Sequence, residues 1–359
     1  MNFLDLLRFS VAGGDVDRLA DGDVDWRNIH ECARQQSLLG VMFRGIEQLP
    51  KRMRPPRDVL LTWYAEVQQI RQSNCKVNEN AAKLSAVFQK AGFWSCVLKG
   101  QGNNLLYPDP YTRMAGDIDI WVKAKEGDTI QQSIAFARKH HPDGMIVYHH
   151  VDAGMFCGTE VEIHFRPSFM NNLVCNLRLQ QWFEAEAKEQ FVHSVELPDG
   201  AGHICVPTNA FNRIYQMVHI SNHFFHEGIG LRQLVDYYYV LQQGFSQEEQ
   251  RQEERLMKWF GIYKIATAVM FVLGNVLGLP REQMIVPSDE RRGKLLLEEI
   301  MLAGNFGHFD KRLAGSHTPL KKNIQRLKRD VRLMWLFPSE CLWEPIFRLY
   351  HFFWRMRNN

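Results

Sequence analysis

Two short segments constrain this chain most: Gly116-Asp117-Ile118-Asp119-Ile120-Trp121-Val122 and, about forty residues later, Val161-Glu162-Ile163-His164-Phe165. Each reads as an apolar strand with acids on one face. Side chains alternate along an extended strand, so Asp117 and Asp119 point one way while Ile118, Ile120 and Val122 point into a core. Glu162 sits in the same alternation between Val161 and Ile163. Acids converging from neighbouring strands repel one another and raise their own pKa values unless positive charge lies between them. Magnesium is the natural partner for such a face, because it prefers hard oxygen ligands and keeps part of its water shell.

The 359 residues suit two or three packed units. Hydrophobic residues at 45% and charged residues at 23% are ordinary globular values. No apolar run approaches the roughly 20 residues that span a bilayer, and Met1 to Arg8 lacks the pattern of an export signal. Seven scattered cysteines with no CxxC pair suit reduced thiols, and the expected location is the cytoplasm. The net charge of +3 hides a polarity: residues 311–359 carry +8 and the preceding 310 residues −5.

Residues up to about 90 read as helices, with Trp26, Ile29, Cys32, Ala33, Gln36 and Leu39 at helical spacing and a long pattern from Asp58 to Leu84. Phe93 to Leu98 is a buried-strand run ending in Lys99-Gly100, and residues 103–107 start a short helix. Gly127 to His140 reads as a helix. Met145 to Val151 and Thr159 to Phe165 read as strands joined across a turn at Asp152-Ala153-Gly154. Val192 to Leu197 and His203 to Val206 form a hairpin around Pro198-Asp199-Gly200, and helices return at 210–225 and 231–243.

The acids make chemical sense together. Nucleotidyl transfer needs the α-phosphate of a triphosphate held in line with an attacking hydroxyl, and two divalent ions bridged by carboxylates meet that need. Asp117 and Asp119 are the expected ligands, with Glu162 completing the metal site or receiving the hydroxyl proton. A strand ending in Lys99-Gly100 at a helix start offers backbone N–H groups and a cation to phosphate, and Arg113 adds a second cation. An isolated Asp-x-Asp often marks only an exposed strand edge. The combination with Lys-Gly, Arg and Val-Glu-Ile-His is more specific.

Lys99-Gly100, Tyr107-Pro108, Arg113, Gly116-Asp117-Ile118-Asp119 and Val161-Glu162-Ile163-His164 resemble a bacterial nucleotidyltransferase family within the polymerase-beta-like superfamily. Glu227 to Asp236 looks like that family's helical segment, and the resemblance is strongest from about 90 to 240. It implies a nucleotidyltransferase palm, two magnesium ions with manganese as a substitute, and a nucleoside triphosphate donor. On it Asp117 and Asp119 match the metal-binding acids and Glu162 the third acid. The chain departs from the wider superfamily in having Lys99-Gly100 where Gly-Ser or Gly-Gly is usual.

Other features have blander readings beside functional ones. His219, His223 and His226 could hold zinc but lack the Glu of H-E-x-x-H, so packing or substrate contact is preferred. His164 shares the face of Glu162 and either bonds an acid or phosphate or serves structure. Arg232 and Asp236 are spaced for a surface ion pair, with nucleotide contact by Arg232 as the alternative. The tail interleaves Lys321, Lys322, Arg326, Lys328, Arg329, Arg332, Arg348 and Arg355 with aromatics, which suits nucleic acid or an anionic membrane surface. A helix packing its aromatic side and wetting its basic side is the favoured explanation.

The sequence thus predicts an α+β protein: a helical region at 1–88, a small mixed-sheet palm at 89–206 and a helical region with a basic aromatic tail at 207–359. The expected activity is magnesium-dependent transfer of NMP, with ATP the favoured donor, to an unidentified acceptor hydroxyl. Asp117, Asp119 and Glu162 act as catalytic metal ligands. Lys99, Gly100, Arg113, Gly116, His164 and Arg232 bind the nucleotide. The rivals are a nucleotide-binding regulator without turnover and a protein binding nucleic acid or a membrane surface through its tail. No integral membrane contact is expected.

Overall fold

The computed structural model describes residues 1–19, 24–127, 130–310, 312 and 319–358. Two compact units share the chain discontinuously. One comprises Met1–Ile70, Thr112–Met114 and Gln216–Trp343; the other comprises Arg71–Tyr111, Ala115–Tyr215 and Glu344–Asn359.

The second unit holds a four-stranded mixed sheet. Its strands are β1 (Phe93–Val97), β2 (Ile118–Ala124), β3 (His150–Phe156) and β4 (Thr159–His164), in the spatial order β1-β2-β4-β3. The β2–β4 pair is parallel; β1–β2 and β3–β4 are antiparallel. A separate antiparallel hairpin, β5 (Ser194–Leu197) and β6 (Gly202–Cys205), turns through Pro198–Gly200 as expected. The mixed sheet with helices around it is the α+β architecture read from the sequence.

The core lies on one face of the sheet. Ile118, Ile120, Val122 and Ala124 of β2, with Val161 and Ile163 of β4, pack against Val77, Ala81, Leu84 and Phe88 of the long Arg57–Lys90 helix. Those helical residues recur at i, i+4, i+7 and i+11, one stripe of a 3.6-residue period. The Ile130–His140 helix adds Ile134 and Ala137 to the same cluster.

The β3–β4 hairpin differs from the expectation. Strand β3 starts at His150 rather than 145, and Asp152-Ala153-Gly154 lies within it. The turn is Cys157-Gly158, both with positive φ, the backbone that a tight two-residue hairpin demands. Gly154, also at positive φ, sits inside the register shift between Asp152 and Met155, so the Asp-Ala-Gly signal marks a bulge and not a turn. Residues 145–147 fold back on β3 through Asp152 N–H to the Met145 carbonyl and Val147 N–H to the His150 carbonyl, which leaves Tyr148 and His149 at a bend. The Leu173–Gln190 helix, capped by Asn172 onto the N–H groups of Val174 and Cys175, was not anticipated.

The first unit is helical, with Phe3–Ala12, Trp26–Gln35, Leu39–Gln48, Leu231–Gln242, Tyr263–Asn275 and Glu290–Ala303 among its elements. In the second unit the C-terminal helix, which ends at Asn358, packs inward as expected through Phe347 and Trp354, whose rings lie 5.5 Å from that of Tyr148. Its outward side is mixed: Ile346, Leu349, Phe353 and Met356 are exposed along with Arg357, while Arg348 is tied to Glu344. Lys311 and the side chains of Lys321, Lys322 and Arg326 lie outside the described residues. No described helix is long and apolar enough to cross a membrane.

Candidate active site

Because one face of the sheet is filled by apolar side chains, the alternate residues meet on the other. There β2 contributes Asp119, β4 contributes Glu162 and His164, and β3 contributes His150 and Asp152. Register brings them level: Asp119 pairs with Glu162 across the parallel strands, and Asp152 pairs with Glu162 on the other side. Glu162 stands in the middle of a row of three acids.

Lys99 enters from the end of β1. The Leu98 N–H donates to the Asp119 carbonyl at 3.0 Å, and the Lys99 Nζ returns to Asp119 Oδ1 at 2.8 Å. The loop that follows is held by side-chain amides. Asn104 donates to Asn74 Oδ1 (2.7 Å) and to Gln101 Oε1 (3.2 Å), Gln101 donates to Asn78, and Asn74 reaches the Tyr111 carbonyl. Gly100 occupies φ +56°, and a Cβ there would lie 3.6 Å from the Asp117 carbonyl oxygen. The helix after it, Gln101–Asn104, is a single turn.

His164 joins the acids. Its Nε2 lies 3.0 Å from Asp119 Oδ1 and 3.2 Å from Glu162 Oε2, and its Nδ1 faces the Arg166 carbonyl at 3.4 Å. Burial disfavours charge on this ring, but the hydrogen bonds to Asp119 and Glu162 outweigh it and push the pKa up to about 9. Burial opposes ionisation of Glu162 as well, yet His164, His150 and Lys99 bring it down to about 2. Asp119 is likewise lowered against its burial by Lys99 and His164, and Lys99 is raised against its own burial chiefly by Asp119. The result is a buried, mutually ionised cluster in which both acids carry their charge at neutral pH.

Of the residues singled out in the sequence, Lys99, Asp119, Glu162 and His164 meet within the second unit. Asp117 lies just before β2, half-buried, and its charge acts on Lys99; Gly116 beside it is exposed. Arg113 and Arg232 belong to the first unit. There Arg113 makes a bidentate bond to Asp236, at 2.7 and 2.9 Å, and Arg232 donates to the Met114 carbonyl at 3.2 Å. His219 and His223 stack edge to face at 4.2 Å, His223 bonds Glu227 at 3.2 Å, and the His219/His223/His226 set is not among the metal-holding clusters of the described residues.

Sequence reasoning missed His149, His150 and Asp152. The signal was present in Tyr148-His149-His150-Val151-Asp152, where His150 and Asp152 flank a core valine in strict alternation, but the strand had been placed too early to expose it. Tyr215, wholly buried and close enough to Lys99 to act on its charge, also escaped notice.

The donor set suits a divalent cation. Asp119 and Glu162 offer ionised hard oxygens side by side, with Asp117 adjoining on the same strand segment and Asp152 in register beyond. Nucleotidyltransferases generally use divalent metals.

The antigenic nucleotidyltransferase-like protein from Paracoccidioides brasiliensis, known from a crystal structure, is 13% identical over 52% of this chain and 87% of its own, with a TM-score of 0.32. No curated protein is significantly similar to the chain. The family model for uncharacterised nucleotidyltransferases matches residues 22–274, a span that contains every strand of the described residues and the whole acidic face. The chain therefore belongs to that nucleotidyltransferase family.

Proposed function

We propose that the acidic face of the sheet catalyses magnesium-dependent transfer of a nucleoside monophosphate, AMP from ATP in the favoured case, to an acceptor hydroxyl. The observation that carries this reading is the level pairing of Asp119 with Glu162 on parallel strands, with the Lys99 ammonium at Asp119. Magnesium would be held by Asp117, Asp119 and Glu162. When bound it would supply positive charge against the charge that builds on the attacking and leaving oxygens.

In the reaction the acceptor oxygen forms a bond to the α-phosphorus and gives up its proton to solvent, while the bond from that phosphorus to the β-bridging oxygen breaks and pyrophosphate departs with the electron pair. Lys99, charged at neutral pH, favours the anionic phosphates from the Asp119 side. Glu162 serves ligation better than proton acceptance. A carboxylate held near 2 is fully ionised, as a metal ligand must be, but it is a weak base at neutral pH. Seven free thiols agree with a cytoplasmic setting, where triphosphates are abundant.

The test is incubation with α-labelled ATP, GTP, CTP and UTP in Mg2+, together with cell extract. Label transfer and pyrophosphate release are followed against Asp117→Asn. Label on an acceptor with wild type alone is the expected outcome and also reveals the donor and acceptor. Metal-dependent nucleotide binding without pyrophosphate release under any acceptor would favour a regulator that keeps the palm without turnover.

Lys99→Ala is expected to lower kcat/KM for the triphosphate about tenfold to a hundredfold, the worth of one charged contact. Unchanged donor affinity and turnover in that variant would remove Lys99 from the reaction.

A further inference from the structure

On the β3 side of Glu162 stand three imidazoles. The rings of His149, His150 and His164 lie with centroids 4.4, 5.1 and 5.5 Å apart, and one nitrogen from each falls within 4.8 Å of the others. We infer that His149, His150 and His164, with Glu162, form a binding site for a single transition-metal ion of the zinc class, distinct in donor chemistry from the magnesium site of the acidic face.

Three observations carry the inference, none of which depends on the transfer reading. The first is spacing. Donor atoms about 2.0–2.1 Å from a tetrahedral zinc ion stand about 3.3 Å from one another. Here His149 Nε2 and His150 Nδ1 are 3.1 Å apart, Glu162 Oε2 and His164 Nε2 are 3.2 Å apart, and Glu162 Oε2 and His150 Nδ1 are 3.5 Å apart. These three separations match edges of a coordination tetrahedron, and the three imidazoles each bring a nitrogen within 4.8 Å of the other two.

The second is orientation of the rings from behind. A metal-binding histidine characteristically gives its other ring N–H to a carboxylate or a backbone carbonyl, which sets the tautomer and aims the ligating nitrogen. His150 Nε2 meets Asp152 Oδ1 at 2.9 Å, and His164 Nδ1 faces the Arg166 carbonyl at 3.4 Å. A bound ion would take the place of the protons that His164 Nε2 shares with Asp119 and Glu162 and that His150 Nδ1 shares with His149 Nε2, since an imidazole must be deprotonated at the nitrogen that ligates. Two adjacent histidines at a bend held by the Met145–Val147 backbone supply the remaining nitrogen.

The third is donor type. Imidazole nitrogen selects zinc, cobalt, nickel or copper, whereas magnesium takes oxygen. A set of three nitrogens and one carboxylate oxygen therefore discriminates between the two ions, and Glu162, with two oxygens, belongs to both neighbourhoods.

The experiment uses the full chain freed of metal and titrated with Co2+, whose visible absorption reports low-coordinate nitrogen and oxygen ligation. A spectrum that saturates at a single ion, is abolished by Zn2+ and survives a large excess of Mg2+ is expected. His149→Ala/His150→Ala should lose it. Asp152→Asn, at a side chain 41% exposed, should bind about 10–100-fold more weakly. Asp117→Asn should bind Co2+ as wild type does even when no transfer is measured, which separates this inference from the proposed reaction. No saturable spectrum in wild type, displacement by Mg2+, or a spectrum unchanged in His149→Ala/His150→Ala would overturn it. If that double variant does not fold, Asp152→Asn with wild-type affinity overturns it instead.

Discussion

Asp119→Asn is expected to abolish nucleotidyl transfer and to destabilise the second unit, whereas Asp117→Asn should abolish transfer with its stability intact. The two aspartates are two residues apart on one strand segment, but their surroundings differ. Asp119 is 3% exposed and touches both the Lys99 ammonium and the His164 ring; Asp117 is half-buried at the mouth of the strand. Removing one partner from a buried charge pair leaves the other uncompensated, which typically costs about 3–5 kcal/mol. An asparagine keeps the volume and one oxygen, so the lower end, about 3 kcal/mol, is the expected loss, against about 0.5 kcal/mol or less for the more exposed position. Urea unfolding beside the label-transfer assay measures both. Full transfer in either variant would remove that acid from the reaction, and wild-type stability in Asp119→Asn would mean that its buried pairing contributes nothing.

Arg113→Ala is expected to cost the first unit about 3–5 kcal/mol, because Asp236 would be left as a buried carboxylate without its guanidinium. The side chains are 6% and 4% exposed, and the pair is bidentate. Arg113→Lys should recover little, since an ammonium cannot match two parallel N–H donors to one carboxylate. Arg113→Met/Asp236→Leu should regain part of the loss by removing both charges. If Arg113 instead serves the nucleotide, Arg113→Ala would raise the triphosphate KM with unfolding unchanged. Denaturant midpoints and KM from the same preparations therefore decide between the roles.

Much of the candidate site was legible because its pattern is local. Asp-Ile-Asp-Ile-Trp-Val and Val-Glu-Ile-His declare strands with one apolar and one polar face, and that alternation selected Asp119, Glu162 and His164 before any fold was known. The Asp-Ala-Gly signal misled, because a glycine at positive φ serves a bulge as well as a turn. Its misplacement hid His150 and Asp152 on the polar face of β3. Arg113 was read as a phosphate cation from its distance of four residues to Asp117, and its pairing with Asp236, 123 positions away, was not visible in that spacing.

By itself the sequence determined which side chains share a face, since strand and helix periods are properties of the backbone and need no partner. Tertiary structure decided which faces meet. The parallel β2–β4 register set Asp119 level with Glu162, the β3–β4 hairpin delivered His150 and Asp152 to the same row, and the carboxylates brought beside them hold Lys99 and His164 charged against their burial. Those outcomes depend on pairing between distant segments and on the loss of water around them, and no local spacing encodes either.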